Sequence, residues 1–163
     1  MEDSLKTILW KQFGAAVDMF ENAVAACPDT LWNDKSQFWY NAYHCIFYLD
    51  YYLTEEPGTF MPPAPFTLSE FDPDGEMPER VYSKEELITY IKFCRGKCRK
   101  LISALSDENL EKRFINQYRN YSRLEILLYN MRHVQHHAAQ LNLLIRQSGI
   151  IPPDWVSRTK IEL

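Results

Sequence analysis

Most of the prolines of this chain cluster in one segment. Six of the nine prolines fall between residues 57 and 78: Pro57, Pro62, Pro63, Pro65, Pro73 and Pro78. Proline lacks a backbone N–H and clashes with the preceding helical turn, so most of segment 55–82 cannot be helical. On both sides of this segment, apolar residues recur at intervals of three and four, which predicts helices. The sequence therefore predicts an all-α fold with one unusually long connection.

The predicted helices have recognisable starts and ends. Serine side chains are expected to cap the second, third and fourth helices, at Ser36, Ser83 and Ser122. Glu86, three residues after Ser83, completes a capping box. Gly149 suits the position that follows the fourth helix. These signals predict helices with approximate limits at residues 3–26, 36–54, 83–106 and 122–148.

Four helices of this length predict a four-helix bundle, formed by residues 1–163 as a single domain. The proline-rich connection is long enough to span a whole helix, so the second and third helices are expected to run parallel, joined by a crossover. Phe60, Phe66 and Phe71 in this crossover can cover the mouth of a site, although forming the crossover is their simpler role. The polar linker 107–121 carries no helix pattern, and the tail 150–163, with Trp155, is expected to pack on the bundle or on a partner.

Composition excludes several functional classes. The formal net charge is −4 at pH 7, which disfavours binding to a phosphate backbone. No apolar stretch is long enough to span a membrane, and the first residues lack the apolar core of a signal peptide. We therefore expect a cytoplasmic protein without nucleic-acid or membrane partners. The third helix carries a cluster of basic residues that we interpret as a solvated face: Lys92, Arg95, Lys97, Arg99 and Lys100.

The four cysteines form no C-x-x-C pair. Cys94 and Cys98 share a helix face, but a disulfide between them would strain the helix. We interpret all four as reduced structural thiols, which is usual in the cytosol. They are Cys27, Cys45, Cys94 and Cys98.

All four histidines lie in two predicted helices: His44 in the second, and His133, His136 and His137 in the fourth. On a helical wheel, His137 falls in the apolar sector of the fourth helix and His133 at its edge. His136 falls on the polar side. His133 and His137, at i and i+4, therefore form the inward pair.

A pair of imidazoles at this spacing can bind one metal ion from a single helix face, and His44 can complete a three-histidine set from a facing helix. Three nitrogen ligands suit Zn²⁺, Ni²⁺, Fe²⁺ or Cu²⁺ and leave coordination positions for water or substrate. The alternative is that the histidines are hydrogen-bonded core residues.

Two well-known metal-site motifs are not fulfilled. The run from His133 to His137 has the spacing of H-E-x-x-H, but Val134 occupies the position of the catalytic glutamate. The paired Glu-x-x-His motif of di-iron bundles is also missing. Asp50 is predicted on the far side of the second helix from His44, in a solvated position. The sequence thus offers no clear general base.

Four further residues are predicted to line the site. Tyr48 and Tyr51 lie one and two turns from His44, and aromatic packing is the alternative role for each. Asn41 and Gln140 lie beside the histidine faces and can orient the ligands or bind substrate.

Two long runs of the sequence resemble the DinB-like superfamily. They are residues 38–53 (FWYNAYHCIFYLDYYL) and residues 125–141 (EILLYNMRHVQHHAAQL), and the closing residues 153–156 (PDWV) are also similar. The resemblance implies a four-helix bundle with a crossover, often a homodimer. It also implies a divalent metal, commonly nickel or zinc, on His44, His133 and His137. Ala139 stands where the family often has glycine, a change that removes no ligand.

Some members of that superfamily transfer groups to low-molecular-weight thiols such as bacillithiol, mycothiol or glutathione. The resemblance therefore implies a metal-dependent enzyme, either a thiol-dependent S-transferase or a hydrolase, acting on a small molecule. One alternative is a non-enzymatic metal-binding or stress-response bundle that acts through dimerisation. Another is a helical interaction protein without a metal, because fold alone does not determine function.

Overall fold

The computed structural model describes residues 3–163. Its elements, in chain order, are α1 (Asp3–Ala26), α2 (Asp29–Trp32), α3 (Phe38–Tyr52), 3₁₀ turns at Pro57–Thr59 and Ser69–Phe71, α4 (Lys84–Ser103), β1 (Arg113–Ile115), β2 (Asn120–Ser122) and α5 (Arg123–Gln147). The long helices α1, α3, α4 and α5 correspond to the four predicted helices and confirm the all-α fold. The short helix α2 and the β-hairpin were not predicted.

Two of the three predicted serine caps are present. Ser83 accepts a hydrogen bond from the backbone N–H of Glu86 at 3.2 Å, and the Glu86 carboxylate accepts one from the N–H of Ser83 at 2.8 Å. This capping box fixes the start of α4. The Ser122 side chain caps α5 by accepting a hydrogen bond from the backbone N–H of Glu125 at 3.2 Å. Gly149 follows α5 with φ +86°, a conformation that favours glycine.

The predicted cap at Ser36 is wrong. The Asp34 carboxylate accepts hydrogen bonds from both the backbone N–H and the hydroxyl of Ser36, so this serine belongs to the preceding turn. Gln37 then takes a left-handed conformation with φ +51°, and α3 begins at Phe38 without a side-chain cap. The Asn41 amide donates to the backbone oxygens of Ser36 and Gln37, each at 3.2 Å, and so stabilises this helix start.

Contacts along α3 and α4 show that the two helices run parallel. Near their starts, the rings of Tyr43 and Tyr82 lie 4.9 Å apart. Near their ends, Lys97 Nζ lies 2.6 Å from Asp50 Oδ1 and 2.9 Å from Thr54 Oγ1. Residues 53–83 therefore form the predicted crossover.

The helix pairs α1–α4 and α3–α5 run antiparallel. In α1 and α4, Cys27 O, just after the end of α1, accepts a hydrogen bond from Lys84 Nζ at the start of α4. Arg95, further along α4, forms an ion pair with Glu21 in the second half of α1. On the other side, Leu49 O near the end of α3 accepts from Asn130 in the first half of α5. The order is thus up, down, down, up, with α1 and α3 both packed against α4 and α5.

One hydrophobic core lies between the four long helices. Its largest fully buried side chains include Trp10, Phe13 and Phe20 from α1 and Phe38 and Phe47 from α3. The helical spacing of these residues explains why each helix buries one face. Within residues 3–163, no helix has a stretch long and apolar enough to cross a membrane.

Asp50 is buried, contrary to the prediction of a solvated position. Its side chain is only 1% exposed and accepts hydrogen bonds from Lys97 Nζ at 2.6 Å and from the Tyr90 hydroxyl at 2.8 Å. The prediction placed it correctly opposite His44, but that face of α3 packs on α4. Lys97 and Arg95 were predicted to belong to a solvated basic face, but both form ion pairs within the bundle. Arg95 pairs with Glu21 at 2.5 Å.

All four cysteines are buried and free, as predicted. Burial raises the pKa of the Cys27 thiol to about 12 and raises the pKa of the other three thiols as well. A thiol that stays protonated at neutral pH is a poor nucleophile. The protein's own cysteines are therefore structural.

The tail packs on α1, one of the two placements predicted for it. Trp10 Nε1 donates to Ile161 O at 2.8 Å, and the backbone N–H of Thr159 donates to Lys11 O at 3.1 Å. Gly14 permits this approach, because a Cβ at that position would lie 2.5 Å from Thr159 Cγ2. Trp155 itself remains 70% exposed.

Candidate metal centre

Three histidines from two helices meet at one point. His44 comes from the middle of α3, and His133 and His137 come from successive turns of α5, which packs antiparallel on α3. One ring nitrogen of each residue lies within 4.8 Å of the corresponding nitrogens of the other two. His136 is exposed on the polar side of α5, as the wheel indicated. The structure therefore brings together the three residues that the sequence singled out, in a spacing that one metal ion can bridge.

Burial keeps the two α5 histidines neutral. It lowers the pKa of His133 to about 3, with smaller effects from the neighbouring His137 and His44. It also lowers the pKa of His137 to about 4, with His44 as the next cause, although an interaction with Gln140 acts in the opposite direction. At neutral pH each ring therefore keeps a lone pair that can bind a metal ion.

Each of these rings has an unsatisfied nitrogen. Nδ1 of His133 and Nδ1 of His137 are buried without a hydrogen-bond partner among the described residues. A buried polar atom without a partner costs free energy and calls for an explanation. Neutral imidazoles with unsatisfied nitrogens, converging on one point, fit a divalent transition-metal ion.

His44 is oriented by a buried carboxylate. Its Nδ1 lies 2.6 Å from Glu70 Oε2, and the Glu70 side chain is only 4% exposed. A carboxylate at Nδ1 stabilises the tautomer with hydrogen on Nδ1 and directs the Nε2 lone pair away from it. Glu70 belongs to the 3₁₀ turn Ser69–Phe71, so the crossover provides the residue that positions this histidine.

The histidine cluster opens into a cleft of about 1100 Å³. Tyr48 and Tyr51 line it, as predicted, and the Tyr48 ring lies 4.8 Å from the His44 ring. The Tyr48 hydroxyl donates to Glu70 O at 3.2 Å. Burial, followed by the charge of Glu70, raises the pKa of Tyr48, so this hydroxyl is protonated at neutral pH. Tyr48 thus both packs on the cluster and holds the crossover in place.

The remaining wall of the cleft comes from the crossover and the hairpin. The Phe71 ring lies 4.9 Å from the Tyr51 ring, whereas Phe60 and Phe66 are buried. Of the three crossover phenylalanines, Phe71 alone lines the cleft. The hairpin contributes residues 116–119 to the lining.

The comparison with family models decides the classification. The DinB superfamily model matches residues 12–141. This chain belongs to the DinB superfamily. The match covers most of α1, all of α3 and α4, and all three clustered histidines. The parallel α3 and α4 agree with the crossover bundle that the sequence resemblance implied. The comparison with curated proteins gives no match.

Two of the predicted lining residues of this DinB protein have other surroundings. The Asn41 amide is bound to backbone oxygens at the start of α3, and Asn41 does not line the cleft. Gln140 is exposed, and its contact with His137 places it at the rim of the cluster.

Sequence reasoning missed Glu70 and the hairpin turn. Both lie in connections, where no periodicity shows which side chains face inward. The sequence offered one indication that a residue such as Glu70 could reach the site: a crossover of this length has to pass close to the helices that it connects.

Proposed function

We propose that this DinB protein binds one divalent transition-metal ion, Zn²⁺ or Ni²⁺, through His44, His133 and His137, and acts as an enzyme on a small molecule. The observation that carries the proposal is the convergence of three ligand nitrogens within 4.8 Å beside an open cleft. Three protein ligands leave coordination positions open, as in catalytic rather than structural sites.

The reaction class that fits best is thiol-dependent S-transfer or hydrolysis. When bound, the ion supplies Lewis acidity, which lowers the pKa of a coordinated water or thiol. Since the protein's own thiols are buried with raised pKa values, a reacting thiol has to come from a low-molecular-weight cofactor that enters the cleft.

Glu70 provides the proton-accepting group that the sequence did not reveal. Its Oε2 holds His44, whereas Oε1 is buried without a hydrogen-bond partner among the described residues. A carboxylate oxygen in this state can accept a proton from a water or thiol bound next to His44. The Tyr48 hydroxyl already donates to a backbone oxygen, so we assign it to positioning.

The alternative function is a non-enzymatic bundle that acts through dimerisation, and exposed apolar side chains on α5 support the dimerisation part of it. Leu128 and Leu143 on α5 are 42% and 53% exposed, and a second copy of the chain is one partner that would cover them. A homodimer and a cytoplasmic location stay predictions. The two functions differ in a direct way, because only an enzyme turns over a thiol or an ester substrate.

The first experiment is elemental analysis of the untagged protein beside three variants. We expect about one Zn or Ni per chain in the wild type, and loss of that metal in His44→Ala and His133→Ala. His136→Ala is the matched control: it removes an exposed histidine of the same helix and should keep the metal. Metal retained in His44→Ala and His133→Ala, or no metal in the wild type after reconstitution with Zn²⁺ or Ni²⁺, would overturn the proposal.

A positive result leads to an activity screen. The metal-loaded protein is incubated with bacillithiol, mycothiol or glutathione together with electrophiles, and separately with ester and amide substrates. Turnover that disappears in His44→Ala supports an enzyme. A protein that binds metal, forms dimers and shows no turnover supports the non-enzymatic alternative.

A further inference from the structure

The cleft beside the histidines is lined by charged groups of both signs. They are Glu70 and Asp72 of the crossover and Arg119 of the hairpin turn. Glu70 is engaged by His44. Asp72 Oδ1 accepts hydrogen bonds from the backbone N–H groups of Asp74 and Glu76. Each of these carboxylates thus already makes contacts within the protein through one of its oxygens.

The Arg119 guanidinium packs on a pair of tyrosine rings close to the histidines, and the centres of these two rings, Tyr52 and Tyr129, lie 5.2 Å apart. Its guanidinium carbon lies 5.3 Å from the centre of the Tyr52 ring and 4.8 Å from that of Tyr129. Its Nη2 donates to the Tyr129 hydroxyl at 2.7 Å. The Tyr52 ring in turn lies 5.8 Å from the His133 ring. One tyrosine ring therefore separates the cation from the metal ligands.

Arg119 has no carboxylate partner within residues 3–163. Among the described residues, Arg80, Arg95 and Arg123 form ion pairs with carboxylates, and none of these carboxylates contacts Arg119. A guanidinium group has five N–H donors in a planar fork, and the Tyr129 hydroxyl is its one hydrogen-bond acceptor among the described residues. A half-buried cation with unused donors in a cleft is suited to bind an anion.

The turn that carries Arg119 is fixed to the wall of the cleft. Asn116 Oδ1 accepts hydrogen bonds from the backbone N–H groups of Tyr118 and Arg119, each at 2.8 Å. The Asn116 amide donates to the Tyr51 hydroxyl at 3.1 Å. The position of Arg119 is therefore built into the fold through a residue that itself lines the cleft.

We propose that Arg119 is the anion-binding residue of this cleft, and that the substrate is a small organic acid. Its carboxylate pairs with the planar guanidinium, and its flat apolar part packs against the tyrosine rings that line the cleft. The other end of the molecule then points to His44 and His133. That last step rests on the proposed function, whereas the binding of the anion does not depend on the metal.

The test compares benzoate with its neutral analogue benzamide. Binding of each is measured by titration calorimetry to metal-free protein, prepared with a chelator, and again after loading with Zn²⁺. A charge-assisted bidentate pair should make benzoate bind metal-free wild type about tenfold more tightly than benzamide. Arg119→Gln should abolish this preference, and Arg119→Lys, which keeps the charge without the planar fork, should reduce it.

Arg113→Gln is the matched control, because it removes an arginine of the same hairpin that does not line this cleft. It should keep the preference for benzoate. Circular dichroism confirms that each variant is folded. If Arg119→Gln does not fold, Arg119→Lys and the wild-type ratio decide the question.

Three results would overturn the proposal: equal binding of benzoate and benzamide by the wild type, no binding of benzoate, or a preference that survives in Arg119→Gln. The last result, with a lower melting temperature, would assign Arg119 to packing on the Tyr52 and Tyr129 rings. Metal content is measured on the same samples. A wild type that takes up no Zn²⁺ on loading but still prefers benzoate would reject the proposed function and leave the anion site intact.

Discussion

Replacement of Glu70 tests whether the crossover supports the proposed metal centre. Glu70→Gln keeps an oxygen that can accept the hydrogen on His44 Nδ1 but removes the negative charge 2.6 Å from that ring. Loss of an outer partner of a metal-binding histidine typically weakens metal affinity by about 10–100-fold. Because the glutamine retains the hydrogen bond, we expect about a tenfold loss, equal to about 1.4 kcal/mol. Glu70→Ala removes the acceptor and should approach about a hundredfold.

The assay is competition for Zn²⁺ with a chromophoric chelator, scored as the dissociation constant of folded protein. Glu76→Gln is the matched control, since Glu76 is an exposed carboxylate of the same crossover and its loss changes the net charge equally. Zinc affinities of Glu70→Gln and Glu70→Ala equal to that of Glu76→Gln would refute the role of Glu70 in orienting His44.

Three further predictions concern stability, each measured by urea unfolding. Gly14→Ala should destabilise the protein by about 1–3 kcal/mol, despite the better helix propensity of alanine, because its Cβ meets Thr159 Cγ2. Adding Thr159→Ser should restore part of the lost stability, and a Gly14→Ala variant more stable than the wild type would contradict the contact. Lys97→Met should cost about 3 kcal/mol, since it leaves the Asp50 carboxylate buried without its cation; Asp50→Asn in the same chain should recover much of the loss. Hydrogen bonds from Arg80, then from the Ser83 backbone, lower the pKa of Glu86 to about 2 from an ordinary 4.5, so its charge stabilises the fold above about pH 4.5 and that stabilisation disappears as the pH falls towards 2. The difference between wild type and Glu86→Gln should be below about 1 kcal/mol at pH 7, because the pair contacts solvent, and a difference that persists at pH 2 would contradict the linkage.

Capping residues in the sequence predicted the starts of helices correctly where no neighbouring side chain binds the capping serine. The box of Ser83 and Glu86 and the cap at Ser122 involve residues only three apart, so the sequence contains the whole interaction. The prediction of a cap at Ser36 was wrong because the carboxylate of Asp34, two residues earlier, accepts hydrogen bonds from the backbone N–H and the hydroxyl of Ser36. The same competition between caps and Asx turns limits any prediction made from a single serine.

The burial of Asp50 shows what a helical wheel cannot supply. The wheel gives the direction of a side chain relative to its own helix, and it placed Asp50 correctly opposite His44. It does not show which neighbour lies on that side. In a bundle where α3 packs against both α4 and α5, a polar residue opposite the site faces α4. Lys97 and Tyr90 supply the partners that make its burial possible.

The histidine cluster and its supporting residues differ in how far they can be predicted. His133 and His137 lie one turn apart on a helix, so their pairing follows from local geometry, and His44 follows from the facing helix. Glu70 and Arg119 lie in the crossover and the hairpin turn, where only tertiary packing decides which side chains reach the cleft. In this DinB protein the helices therefore position the residues that would bind the ion, and the connections position the charges around them. Changes of substrate within such a fold are accordingly expected first in the connections, since these can vary without moving the three histidines.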